Sequence, residues 1–247
     1  MKRLLVSLLA LVMIFALSAC SSSPEEKTSE QAEPAEDSTE VVAAASDESE
    51  SESSKEVLPL EITQFGYAMD EEYLFYAITI HNPNDSYIVE LPSYRITARG
   101  ADGKVVGTEE QTLSIVYPGQ DFFYASQGCS CSETPETVDV ELLPAQDYNI
   151  TKASQAEHPE FIPLTVISAD MNNDPLFPSI LGEIRNDNDY AIDSALVTVF
   201  FRDGDGTLVA GELTFVDSVP AHGTAPFEID CYGGFETENF EVYANIW

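Results

Sequence analysis

Positively charged residues are scarce in this chain of 247 residues. Ten Lys and Arg stand against 44 Asp and Glu, which gives a formal net charge of −34 at pH 7. A surface this acidic repels phosphate polymers, so nucleic acid is excluded as an expected partner. The same charge favours cations, basic proteins or neutral glycans.

Recognisable catalytic patterns are also missing. The sequence contains no Gly-x-Ser-x-Gly elbow, no His-Glu-x-x-His and no glycine-rich phosphate loop. Its three histidines, His81, His158 and His222, stand in loop-like contexts. Carboxylates are so numerous that no pair of them identifies an acid and a base. We therefore expect no catalytic residue, no cofactor and no enzymatic activity.

A short apolar run follows Lys2 and Arg3 at the start of the chain. It covers about 14 residues, fewer than the roughly 20 that a membrane-spanning helix needs, and it ends in Leu17-Ser18-Ala19-Cys20. This pattern resembles the lipobox of bacterial lipoproteins. The resemblance implies a signal peptide over residues 1–19 and a diacylglyceryl group on Cys20, whose two acyl chains suffice for stable anchoring. We expect a protein anchored by lipid to the extracytoplasmic side of the cell membrane.

The segment over residues 20–56 has the composition of a spacer. From Ser21 to Glu56 it has no aromatic residue, and it contains 12 acidic residues but only two basic ones, Lys27 and Lys55. Too little apolar surface is available to offset the entropy of ordering, and like charges extend the chain. The sequence thus predicts a disordered acidic tether.

The remaining chain carries an internal repeat. Two Asn-rich turns, Asn82-Pro83-Asn84 and Asn186-Asp187-Asn188, lie 104 residues apart, and two Asp-Gly pairs lie 103 apart. Both halves consist of short runs rich in Val, Ile, Tyr, Phe and Thr between Asn, Asp, Gly and Pro clusters. These runs predict an all-β fold of two tandem antiparallel β-sandwiches of immunoglobulin-like size. We expect the first domain over residues 57–148, a linker over residues 149–160 and the second domain over residues 161–247.

The order of turns and strands is similar to that of the FxLYD-type domain, a small β-sandwich of bacterial extracytoplasmic proteins. The resemblance implies a fold and an envelope location, and no activity. It is carried in the second half by Asn186, Val197, Val199, Phe201, Asp203, Asp205, Gly206, Pro220, Gly223 and Phe227, with weaker counterparts at Asn82, Asp102, Gly103, Pro118, Gly119 and Phe123.

The turn at Asp203-Gly204-Asp205-Gly206 partly matches a calcium loop. Placing Asp205 and Glu212 at loop positions 5 and 12 puts Phe201 at position 1, where an oxygen ligand is required. A tight hairpin explains the same residues, because Gly accepts a positive φ. We therefore expect no defined metal site, while weak binding of a divalent cation by these aspartates together with Asp187 and Asp189 stays open.

Three cysteines remain beside Cys20. In an exported protein Cys129, Cys131 and Cys231 can form one disulfide in any of three pairings, and Cys129 with Cys231 would join the two halves. Alternatively, Cys129-Ser130-Cys131 offers two thiolates to a soft metal such as Cu(I). A structural disulfide is the favoured interpretation.

These observations favour a non-catalytic binding or scaffolding module at the cell envelope. The expected partners are the membrane, through the lipid, and an envelope protein or glycan. The alternative is an envelope protein that binds a metal or a small solute.

Overall fold

The computed structural model describes residues 57–126, 128–233 and 239–247. The expected signal peptide, Cys20 and the tether lie outside the described residues. Within these ranges, no helix combines the length and the apolar character that a membrane crossing requires.

The first half of the described chain forms ten strands. Two short 3-10 turns, Asp147–Asn149 and Ala153–Gln155, flank the last of them. The strands are β1 (Glu61–Asp70), β2 (Tyr73–His81), β3 (Tyr87–Glu90), β4 (Ser93–Arg99), β5 (Val105–Thr112), β6 (Ile115–Val116), β7 (Asp121–Ala125), β8 (Cys129–Ser130), β9 (Thr137–Leu142) and β10 (Ile150–Lys152).

Six strands follow in the second half. All pairings among the described strands are antiparallel, which confirms the predicted all-β fold. The strands are β11 (Thr165–Asn172), β12 (Ser179–Arg185), β13 (Ile192–Arg202), β14 (Leu208–Val219), β15 (Thr224–Asp230) and β16 (Asn239–Ile246).

The two halves have the same strand order. In the first, the sheet β1-β2-β7 faces the sheet β5-β4-β9, and a small sheet β10-β3-β6 lies beside them. In the second, β11-β12-β15 faces β14-β13-β16. Strands at matching places in the sequence therefore occupy matching places in the sheets, as the repeat predicts.

Two large core clusters lie between these sheets, one drawn mainly from each half. Tyr76 and Ile78 of β2 point into the first core together with Ile96 of β4. Val197 and Val199 of β13 point into the second core. Because side chains alternate along a strand, the neighbours of these residues point the other way.

The opposite faces of β2 and β13 are buried as well, because the two halves pack against each other. Ala77 of β2 and Phe200 of β13 belong to one small cluster, and Phe75 packs into the second core. The rings of Phe123 and Tyr243 stack with centroids 3.7 Å apart. All described residues belong to one compact unit. The expected domain and linker boundaries stay predictions, and residues 150–152 of the expected linker form β10, which pairs with β3.

Candidate binding cleft and exposed turn

Asn84 fixes the chain where it enters β1. Its side-chain oxygen accepts the N–H of Leu58 at 2.8 Å, and its amide nitrogen donates to the Leu58 carbonyl at 2.9 Å. The same amide donates to the side-chain oxygen of Asn82 at 2.8 Å, and Asn82 in turn donates to the carbonyls of Tyr87 and Val116. Leu58 is thus held through its backbone, and its side chain is left free to line a surface.

That surface is a cleft of about 500 Å³ at the edge of the first half. Its volume lies in the range of sites that bind small molecules. Asp147 is its single charged lining residue. The other walls are apolar and consist of residues 57–60, Val89, Pro92, residues 142–145 and Ile150.

The equivalent place in the second half looks different. Asn188 holds the backbone of Ile162 with two bonds of 2.8 Å, and donates to Asn186 at 2.9 Å. The hollow beside Ile162 has only about 250 Å³, and its lining includes Glu160, Asp187 and Asp189. The repeated clamp therefore supports a large apolar cleft in one half and a smaller acidic hollow in the other.

A second surface feature is the turn between β11 and β12. Leu176 and Phe177 are 78% and 76% exposed. The carboxylate of Asp174 accepts the N–H of Leu176 at 2.9 Å and that of Phe177 at 3.1 Å, and Pro175 and Pro178 flank the pair. The turn is thus fixed by local bonds while its two large apolar side chains face solvent.

Tyr232 lies at the same end of the second half. The N–H of Cys231 bonds to the carbonyl of Pro178 at 2.9 Å, so the chain after β15 adjoins the end of the turn. Tyr232 is 69% exposed, and its hydroxyl donates to Asp230. Residues 165–182 and 224–233 contain four acidic residues and no Lys or Arg.

The aspartates singled out in the second half are engaged in local contacts. Asp203 accepts the N–H groups of Asp205 and Thr207 within its own hairpin. Asp187 forms an ion pair with Arg185, and Asp189 forms a hydrogen bond with His222 at 2.8 Å. Among the described residues, no group of three or more His, Cys, Asp or Glu side chains is arranged to hold a metal ion.

The three histidines lie in separate surroundings. His81 contacts Asp121 at 2.8 Å in the first half, and His222 contacts Asp189 in the second. His158 stacks on Tyr190 with ring centroids 3.5 Å apart. The structure therefore does not bring the histidines together.

Cys129, Cys131 and Cys231 are buried free thiols in this structure. Cys129 and Cys131 belong to the core of the first half, whereas Cys231 belongs to that of the second. Burial is the main cause that raises the pKa of Cys129 and of Cys231 to about 11. Both thiols are accordingly protonated and weakly nucleophilic at neutral pH.

A glutamate accompanies the cysteines in each half, half-buried in the first and buried in the second. Glu109 accepts a hydrogen bond from the hydroxyl of Tyr76 at 3.1 Å. Glu212, only 1% exposed, accepts the N–H groups of Tyr232 and Gly233 at 3.1 and 3.0 Å. Burial raises the pKa of both carboxyls, that of Glu212 to about 7. Sequence analysis considers Glu212 only as part of a partial match to a calcium loop, and it does not single out Glu109.

Comparisons with known proteins do not assign a family to this chain, so a function has to be argued from its sequence and its geometry. No model of a known protein family matches this chain, and a search of curated proteins finds no match.

Proposed function

We propose that this protein is a non-catalytic binding or scaffolding module of the cell envelope, held by a lipid on Cys20 at the extracytoplasmic side of the membrane. The acidic segment up to residue 56 carries the sandwiches away from the lipid surface. Its partner is another envelope protein, which it contacts through the turn at Leu176 and Phe177.

The exposed, fixed turn is the observation that carries this proposal. Apolar side chains that cluster on a rigid turn bind a partner with little further loss of conformational freedom. Burying a Leu or Phe side chain contributes about 1.5–3 kcal/mol relative to leaving it in water. The acidic surroundings of the turn favour a partner surface whose apolar socket is bordered by Lys or Arg.

The test is chemical crosslinking in the native cell followed by affinity capture and mass spectrometry. Full-length wild type is compared with a Leu176→Gln, Phe177→Gln variant and with Val105→Gln, which changes an exposed apolar residue of the first half. We expect one envelope protein to be enriched with wild type and with Val105→Gln, and lost with the double variant. Equal recovery from all three proteins would contradict binding through this turn.

The anchor needs its own test. Cells that produce wild type or Cys20→Ser are grown with a labelled fatty acid and then fractionated. We expect label on the wild-type protein and its recovery with membranes, and we expect Cys20→Ser to lose both. Labelled Cys20→Ser protein would contradict lipid attachment at this residue.

A second candidate function is supported by the cleft at Leu58. A preformed apolar hollow of this volume suits a small solute better than a macromolecular surface. This candidate agrees with the envelope location and involves a different face of the protein.

A further inference from the structure

The charge at the cleft limits the ligand that it can bind. Asp147 is the one charged residue of the lining, and its carboxylate makes no hydrogen bond or ion pair within the part of the chain that the structure describes. An anionic ligand would be repelled, whereas a cationic group would gain a partner at Asp147.

The backbone of Asp147 is placed beside the apolar walls by the turn and strand that follow it. Asp147 begins the 3-10 turn that leads directly into β10. In β10, Ile150 pairs with Val89 of β3, and both residues line the cleft. The lining also contains Leu58, which Asn84 holds through two backbone hydrogen bonds. The backbone that carries these lining residues is therefore preorganised, which reduces the entropic cost of binding.

We propose that the cleft binds a small amphiphilic amine, with its aliphatic chain between the Leu58 and Val89 walls and its ammonium group at Asp147. This inference rests on the second candidate function and names its ligand, while it uses a different surface from the proposed partner binding. The apolar walls remove the chain from water, and the unpaired carboxylate provides the selectivity for the charged end.

Titration calorimetry with three ligands of equal chain length tests the proposal. The ligands are octylammonium, 1-octanol and octanoate, all below their micelle concentrations, and the protein is the full-length chain with Cys20→Ser so that no acyl chain enters the assay. We expect octylammonium to bind roughly tenfold more tightly than 1-octanol, and octanoate to bind most weakly. Shortening the amine by one methylene is expected to weaken binding about fourfold.

Two pairs of variants locate the site. Asp147→Asn is expected to reduce the affinity for octylammonium to that for 1-octanol, whereas Asp193→Asn, at another exposed aspartate, leaves it unchanged. Leu58→Gln is expected to weaken the binding of octylammonium and 1-octanol alike. The matched control is Ile162→Gln, because Leu58 and Ile162 are both 49% exposed and are both held through their backbone.

Several results would overturn the proposal. One is the absence of octylammonium binding at millimolar concentration, and another is tighter binding of octanoate than of octylammonium. Octylammonium binding that survives both Leu58→Gln and Asp147→Asn would show general attraction to the acidic surface. The Leu176→Gln, Phe177→Gln protein is expected to bind octylammonium normally, so failure of either proposal is distinguishable from failure of the other.

Discussion

Asn84 and Asn188, which lie 104 residues apart, hold Leu58 and Ile162 with the same pair of backbone hydrogen bonds. Each also donates to an asparagine two residues before it in the chain. The internal repeat therefore extends from turns and strands to a network of buried polar groups. In both halves this network fixes the segment that precedes the first strand.

Replacing Asn84 with Ala is expected to lower the free energy of unfolding by about 2 kcal/mol. The variant leaves the part-buried N–H and carbonyl of Leu58 without their partner and removes one of the two donors to the side-chain oxygen of Asn82, and unpaired polar groups away from water are costly. Urea unfolding of the Cys20→Ser protein measures the change. Asn188→Ala is the matched variant and should show a similar loss, but only Asn84→Ala should weaken octylammonium binding. A loss below about 0.5 kcal/mol in both variants would refute the structural role of the clamp.

The buried carboxyl of Glu212 should make stability depend on pH. Its pKa in the folded protein is about 7, above its ordinary value of 4.5, mainly because burial disfavours the charged form. Between these values the folded state binds more protons at this carboxyl than the unfolded state, so the contribution of Glu212 to stability falls as pH rises from about 4.5 to 7 and is constant above that. The contribution lost over this window is roughly 3 kcal/mol.

Glu212→Gln is expected to remove this part of the pH dependence. The amide oxygen can still accept the N–H groups of Tyr232 and Gly233, and no charge is buried. The variant should therefore be more stable than wild type at pH 8, by about 2 kcal/mol, and similar to it at pH 4.5. The control is Glu228→Gln, at an exposed position of β15, which should follow the wild-type curve. The measurement is the free energy of unfolding in urea between pH 4.5 and 8. If it changes with pH in the same way for wild type and Glu212→Gln, the assigned role of Glu212 is contradicted.

A substitution at Gly66 can show whether the two halves unfold together. A Cβ atom at Gly66 would collide with the backbone carbonyl of Leu208, which belongs to the second half. Gly66→Ala is expected to cost about 1–3 kcal/mol, the usual range for overpacking, and to move a single unfolding transition of both halves. The matched change Gly204→Ala meets open space and should have an effect within about 0.5 kcal/mol. Two separate transitions, with only one affected by Gly66→Ala, would mean that the halves unfold independently.

The sequence predicted the strands because local patterns determine them. The runs from Tyr73 to Ile80 and from Ser194 to Phe201 were correctly identified as strands, and their continuous apolar character is typical of strands buried on both faces. This pattern does not show which segment of the chain covers the second face of each strand. Stacking of Phe123 on Tyr243 joins residues 120 positions apart, and no local signal pairs them.

The candidate sites were less predictable than the fold for the same reason. The cleft combines Leu58, Val89 and Asp147, which come from three separate segments and have no common motif. The acid at Glu212 resembled any exposed glutamate in the sequence, since burial depends on residues 232 and 233 covering it. By contrast, Asn82 and Asn186 were recognisable because an asparagine repeated at the same place in a turn has a conformational role.

The three cysteines beyond Cys20 are expected to react only when the protein unfolds. Cys129 and Cys231 have pKa values of about 11, because burial disfavours the thiolate, and the pKa of Cys131 is raised for the same reason. The thiolate is the reactive form, so the native protein should react slowly with iodoacetamide at pH 8. In the Cys20→Ser protein, mass spectrometry should find three modified cysteines after unfolding without a reductant and almost none before it. A single modified cysteine after unfolding, rising to three with a reductant, would instead establish the disulfide that the sequence favoured.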